Sequence, residues 1–168
     1  MKLPSEQQCL NYFAEYKVPE NIFRHCCKVR DVAVFLAERL RENKVSVNME
    51  LVNCLALFHD LCKMIVLKDF GKNEFHSDAI ITAEQEAFWR GMQQKYPRHY
   101  EGEMGYEIFK DAYPELALSL KNVSNPHHEN KTWEELLVHY ADWRVLQEKL
   151  VLLVERLAYL RKRYQRSD

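Results

Sequence analysis

Residues that break regular structure are scarce in this chain, which has only four glycines and five prolines in 168 residues. Few breakers beside many Leu, Glu, Lys and Arg point away from a turn-rich β architecture and toward helices. No alternating stretch of useful length appears, so the fold class reads as all-α. Long apolar runs are also absent. Nothing approaches the roughly 20 residues that a membrane-spanning helix needs, and Met1-Lys2-Leu3-Pro4-Ser5-Glu6 carries no apolar signal core. The five cysteines (Cys9, Cys26, Cys27, Cys54 and Cys62) include no C-x-x-C pair, and their number is odd. A disulfide framework is therefore not expected. The cytoplasm is the simplest setting, with the cysteines acting as small buried apolar residues. Excess charge of either sign is missing too, the formal net charge being −1. That argues against a broad basic surface, and nucleic acid is not an expected partner. With no repeat, low-complexity tract or linker, residues 1–168 read as one domain.

What is present is helical periodicity. Ser5 can cap a first helix over about 5–16, with Cys9, Leu10, Phe13 and Tyr16 on one face. Pro19 opens a second helix that runs to about Arg41, its apolar positions stepping by three and four. Asn48 caps a third, from Met49 to about Met64. This segment is apolar on nearly every side, as expected of the central buried helix. Residues 66–77 read as a loop, and Ser77 or Asp78 is expected to cap the helix that carries Phe88, Trp89 and Met92. A short helix near 102–111 follows, then one started by Pro114 and a break at Asn125-Pro126. Thr132-x-x-Glu135 has the form of a capping box. From Trp133 to Tyr164 there is no Gly or Pro, which predicts one long helix or two bent just after Asp142. The stripe Leu146, Leu150, Leu153, Leu157 and Leu160 either completes the core or builds a contact within a homodimer.

Four residues carry the chemistry: His25, the adjacent His59-Asp60, and Asp142. A histidine in a helix usually has a structural or exposed role, and an Asp three residues before a Lys is usually an ordinary helix pair. An aspartate beside a histidine in the most apolar helix is different, because burying it is costly without a cation or hydrogen-bond partners. Asp142 likewise stands among largely apolar neighbours. Imidazole nitrogens and carboxylate oxygens together suit Mn, Fe, Zn or Mg. Lys63, three residues after Asp60, shares its side of the helix.

In this order the residues resemble the HD-domain superfamily of metal-dependent phosphohydrolases. Phe58-His59-Asp60-Leu61-Cys62-Lys63 resembles the family's HD-hydrophobic-small-Lys motif, with Cys62 where many members have Gly. Tyr140-Ala141-Asp142-Trp143-Arg144 is similar to the second aspartate motif, and Arg24-His25 followed by Val29, Val32 and Ala33 to the first-histidine helix. The likeness spans about residues 20–165. It implies a helical bundle in which His25, His59, Asp60 and Asp142 hold a divalent metal (Mn, Fe, Co, Mg or Zn). Some members hold a second ion. The matching elements here are Glu101-Gly102-Glu103-Met104-Gly105, with Glu101 where those members have His, and the pair His127-His128. His99 is the alternative ligand to Glu101.

The implied activity is hydrolysis of a phosphoester in a small phosphorylated molecule, a nucleotide above all, by a metal-activated water. Asp60 and Lys63 are the expected catalytic residues. Lys63, Arg144 and Arg24 are the expected holders of phosphate oxygens. Lys68, Lys72 and His76 belong to the loop after the HD motif. Phe75, Phe88, Trp89, Tyr96 and Tyr100 are either core or stacking surfaces for a base. The competing reading is a metal-binding regulatory or nucleotide-binding module on the same scaffold, without turnover.

Overall fold

The structure is a computed structural model that describes residues 2–70, 80–125 and 127–164. Nine helices and one small hairpin are found among these residues. Helix α1 spans Glu6–Glu15 and is closed at its start by a capping box between Ser5 and Gln8. Helix α2, Glu20–Glu42, begins after Pro19 and buries Ile22, Cys26, Val29, Ala33 and Ala37 along one stripe. Helix α3, Met49–Phe58, is capped by the Asn48 side chain, which accepts from the Leu51 amide at 3.1 Å. All but its Met49, Glu50 and Asn53 are buried, so it is the central helix.

The expected continuous helix from Met49 to about Met64 is not formed. Helix α3 ends at Phe58, and residues 59–62 turn before a single-turn helix α4, Lys63–Val66. Bonds of the i to i+3 kind (Leu61 to Phe58, Lys63 to Asp60, Ile65 to Cys62) tighten the chain there. No Gly or Pro marks this break. It places the His59-Asp60 pair at the end of a buried helix rather than within one.

Helix α5, Ala83–Lys95, starts at a capping box of Thr82 and Gln85, not at Ser77 or Asp78, which lie outside the described residues. Helix α6 is Glu101–Phe109 and helix α7 is Pro114–Val123. These two pack closely because Gly102 has no side chain. A Cβ there would stand 2.7 Å from the Leu120 carbonyl oxygen and 3.1 Å from Lys121 Cα. Helix α8, Trp133–Arg144, opens on the expected capping box of Thr132 and Glu135. Helices α2, α3 and α8 pack on one another, and α7 packs on α3, α6 and α8. The Asn48 amide donates to Glu134 at 2.7 Å, so the start of α3 is tied to the start of α8.

Of the two arrangements expected from Trp133 onward, one long helix or two bent just after Asp142, the structure has two helices, parted after Arg144. Val145–Leu146 (β1) and Lys149–Leu150 (β2) form a two-stranded antiparallel hairpin, and helix α9 then runs over Leu153–Tyr164. Gln147, in the two-residue turn, adopts a left-handed backbone with φ of 56°. Arg144 closes the hairpin, since its carbonyl accepts from the Val151 amide and its Nε donates to the Val151 carbonyl, both at 2.8 Å. The leucine stripe does not complete the core. Leu150 and Leu153 are exposed, as are Leu152 and Val154 beside them. Cys9, Cys26, Cys54 and Cys62 are buried free thiols, as expected, and Cys27 is half-buried. No helix among the described residues is long and apolar enough to cross a membrane.

Candidate metal centre

The α2–α3–α8 packing brings together His25 from α2, His59 and Asp60 from the turn after α3, and Asp142 from α8. One ligand atom each from His25, His59 and Asp142 can be chosen so that all three lie within 4.8 Å of one another. His25 Nε2 is 3.1 Å from Asp142 Oδ1 and 3.8 Å from Asp60 Oδ2. His59 Nε2 is 3.7 Å from Asp60 Oδ1 and 3.8 Å from Asp142 Oδ1. The side chains are largely buried, from 7% exposed at His59 to 30% at Asp142.

Both imidazoles are oriented by the backbone. His59 Nδ1 donates to the Ala56 carbonyl at 2.7 Å, one helical turn earlier. His25 Nδ1 donates to the Gln147 carbonyl at 2.6 Å, across the hairpin turn. A carbonyl oxygen only accepts, so each Nδ1 carries a proton and Nε2 is the nitrogen that each ring turns to the centre of the cluster, where it can serve as a metal donor. Fixing the second ring nitrogen in this way is the usual support of a metal-binding histidine. His59 Nε2 is buried and has no hydrogen-bond partner. Such an atom is rare in a folded protein, and a bound cation accounts for it. The donor set of two imidazoles and two carboxylates therefore fits a divalent ion.

The electrostatics agree. Burial works against the protonated His59 ring, but the Asp60 charge beside it prevails and holds its pKa well above the ordinary value. Burial likewise opposes the Asp60 carboxylate, yet Lys63, His59 and His25 keep its pKa low. Asp142 is held well below the carboxylate range against burial, by the hydrogen-bonded His25 ring and the neighbouring His59 ring. The cluster thus attracts positive charge. Lys63 is hydrogen-bonded and ion-paired to Asp60. Burial disfavours its charge, but Asp60 and Glu101 raise its pKa and keep it an ammonium.

Glu101, at the start of α6, is pushed up to about 8 by burial and by the nearby Asp60. Its Oε1 is buried without a hydrogen-bond partner. It also lines a cavity of about 820 Å³ with Lys68, Tyr96, Arg98, His99 and Tyr100. His127 and His128 are not brought to the cluster. His127 is exposed, and His128 turns its Nε2 toward the buried Glu135, at 3.9 Å. Arg24 is an exposed partner of Glu148 in the hairpin turn, at 2.9 Å. Arg144 is committed to the Val151 carbonyl and the Tyr140 hydroxyl. Trp89 is fully buried and donates to the Tyr16 carbonyl, so it is core, while the half-buried Phe88 packs on Tyr16 at the edge of the core. Phe75, Lys72 and His76 lie outside the described residues.

Two participants had no signal in the sequence. One is the Gln147 carbonyl. The other is Arg156 of α9, whose Nη2 reaches within 4.0 Å of Asp142 Oδ1 from a side chain only 11% exposed. The HD domain family model matches residues 22–163 of the chain. No curated protein and no solved structure matches it significantly.

Proposed function

The chain belongs to the HD domain family, and from that premise we propose that it is a metal-dependent phosphohydrolase acting on a small phosphorylated molecule, a nucleotide in the first place. The observation that carries the reading is the pair of backbone-anchored imidazoles facing two carboxylates, with His59 Nε2 buried and unpartnered. His25, His59, Asp60 and Asp142 would hold the ion. Bound there, a divalent ion supplies Lewis-acid polarisation of a phosphoryl oxygen and acidifies water toward neutral pH.

The residues of the chain do the rest. Asp60 sits between the histidines and Lys63, so it anchors the ammonium beside the cluster. Lys63, held charged, offers N–H donors to an oxygen of the transferred phosphoryl group, where negative charge is stabilised in the transition state. Glu101 is the residue best placed to serve a second ion, because its unpartnered oxygen lies in the same electrostatic neighbourhood. The adjoining cavity supports the nucleotide reading. Tyr96 and Tyr100 offer aromatic surface, and Lys68, Arg98 and His99 offer positive charge or donors. In this reading residues 1–168 form one cytoplasmic domain, and the exposed Leu150, Leu152, Leu153 and Val154 pair two copies.

The test is a nucleotide panel assayed for phosphate or nucleoside release with Mn²⁺, Fe²⁺, Co²⁺ or Mg²⁺, comparing wild type with Asp60→Ala. Metal-dependent turnover that disappears in the variant is the expected result. Folded, metal-loaded wild type that turns over nothing on the panel would reject the hydrolase reading in favour of a binding module.

A further inference from the structure

We propose that Arg156 is a phosphate-binding residue of this site, delivered from the last helix. The proposal deepens the phosphohydrolase reading and rests on it.

A guanidinium does not deprotonate in a protein and carries five N–H donors in a rigid fork. Arg156 keeps this group almost entirely out of solvent, with its side chain 11% exposed. Buried donors are ordinarily paired. Here Nε is buried without a partner, and Nη2 stands 4.0 Å from Asp142 Oδ1, beyond hydrogen-bond range. The guanidinium carbon lies 5.7 Å from the centre of the Tyr159 ring, so the same helix braces the group by a cation–π contact. Nη2 is thus ion-paired to Asp142 at the edge of the cluster without a hydrogen bond, and Nε of the same fork is left without a partner.

Charge decides what they are for. A second cation beside a carboxylate that also binds a divalent ion repels that ion, and burial strengthens the repulsion. The arrangement becomes favourable when an anion joins the two cations. A phosphoryl group is such an anion, and the planar fork of Arg156 matches phosphate geometry. The neighbouring arginines cannot take this part as they stand. Arg24 is held by Glu148, and Arg144 by Val151 and Tyr140.

The experiment is calorimetric titration of inorganic phosphate into the Mn²⁺-loaded full chain, for wild type, Arg156→Gln, Arg156→Lys and Arg161→Gln. Arg161 is an exposed cation on the same helix and serves as the control. Loss of a charge-assisted fork should weaken phosphate binding by at least about tenfold in Arg156→Gln. Arg161→Gln should match wild type. Mn²⁺ affinity without phosphate should be unchanged or tighter in Arg156→Gln, whereas a merely structural arginine would lower metal and phosphate affinity together. If melting shows that Arg156→Gln does not fold, Arg156→Lys decides. Weaker phosphate binding at unchanged Mn²⁺ affinity supports the proposal, and unchanged phosphate binding overturns it.

Phosphate affinity in Arg156→Gln equal to wild type, or no phosphate binding by the Mn²⁺-loaded wild type, also overturns it. The two readings fail separately. Arg156-dependent phosphate binding without turnover of any panel substrate removes the hydrolase alone. Asp60-dependent turnover with phosphate binding indifferent to Arg156 removes this assignment alone.

Discussion

Two pairs of histidines in this chain differ in everything except residue type. His25 and His59 come from separate elements, each with Nδ1 fixed on a backbone carbonyl and Nε2 turned into a buried acidic centre. His127 and His128 are neighbours on a surface loop. There the His127 amide donates to the Asn125 side chain, and the His128 ring faces a glutamate already occupied by Asn122 and Thr132. A ligand is made by the groups that hold its far side and exclude water, and a histidine pair in sequence supplies neither.

The largest expected effect tests this contrast directly. His59→Ala or Asp142→Ala removes one donor of a preorganised set and should lower Mn²⁺ affinity by about 100-fold or more, above the range seen for loss of a supporting partner. His127→Ala should leave metal content per chain, read by elemental analysis, unchanged. A halved metal content in His127→Ala would break the comparison and place the loop pair at a second ion.

Next in size is a change at the helix that carries Glu101. In Gly102→Ala the new methyl meets the Leu120 carbonyl at 2.7 Å and the backbone at Lys121, neither of which can swing aside. Helices α6 and α7 must separate, and a loss of about 2–3 kcal/mol in urea unfolding is expected. Gly91, with nothing near its Cβ position, provides the contrast. Gly91→Ala in the middle of α5 should stabilise by about 0.5–1 kcal/mol.

These sites also show which parts of the fold could be read from the residues. The α2 stripe, the Asn48 cap and the Thr132 capping box are local patterns, and they appear where they were expected. The meeting of His25, His59, Asp60 and Asp142 was legible because such residues are costly in apolar helices unless they find partners, and because their order resembles the HD pattern. The break after Phe58 was not legible, and near Arg144 a bend was one expectation but its hairpin form was not, because no Gly or Pro marks either place. Their determinants are tertiary. Gln147 holds a left-handed backbone without being Gly, while its carbonyl receives His25 from another helix. Arg144 was expected to hold phosphate oxygens beside the second aspartate motif. Residues two apart on a helix face different sides, and here the Arg144 side chain is bonded to the Val151 carbonyl and the Tyr140 hydroxyl. Arg156 reaches Asp142 only because the hairpin folds α9 back on α8.

A smaller effect separates Glu101 from the four proposed ligands. Its carboxyl, raised to about 8, keeps a proton in the folded metal-free protein while the unfolded chain ionises near 4.5. The stability this group contributes is therefore full below about 4.5 and is lost as pH rises through 8. Glu101→Gln is uncharged throughout. In EDTA it should match wild type near pH 4 and exceed it by about 2 kcal/mol above pH 8, a figure discounted for the residue's partial exposure. Urea midpoints at the two pH values measure this. If Glu101 serves a second ion, saturating Mn²⁺ reverses the order at pH 8, because wild type then gains binding energy that the variant lacks.

The smallest expected effect lies at the hairpin turn, and it asks how far the support of His25 extends. Glu148 pairs with Arg24, the residue before His25, while Gln147 receives the His25 ring. The ion pair is about half exposed on both sides, so Glu148→Ala should change global stability by less than about 0.5 kcal/mol. The pair nevertheless joins the two strands of backbone between which His25 is oriented. Its loss should let the turn drift from the imidazole and weaken Mn²⁺ binding roughly two- to threefold, a small share of what a direct supporting partner contributes. Metal titration at low and high salt distinguishes the cases. Wild-type affinity that falls toward the variant's as salt screens the pair ties the turn to the metal centre. An unchanged affinity in Glu148→Ala at low salt would mean that the Gln147 carbonyl holds His25 unaided.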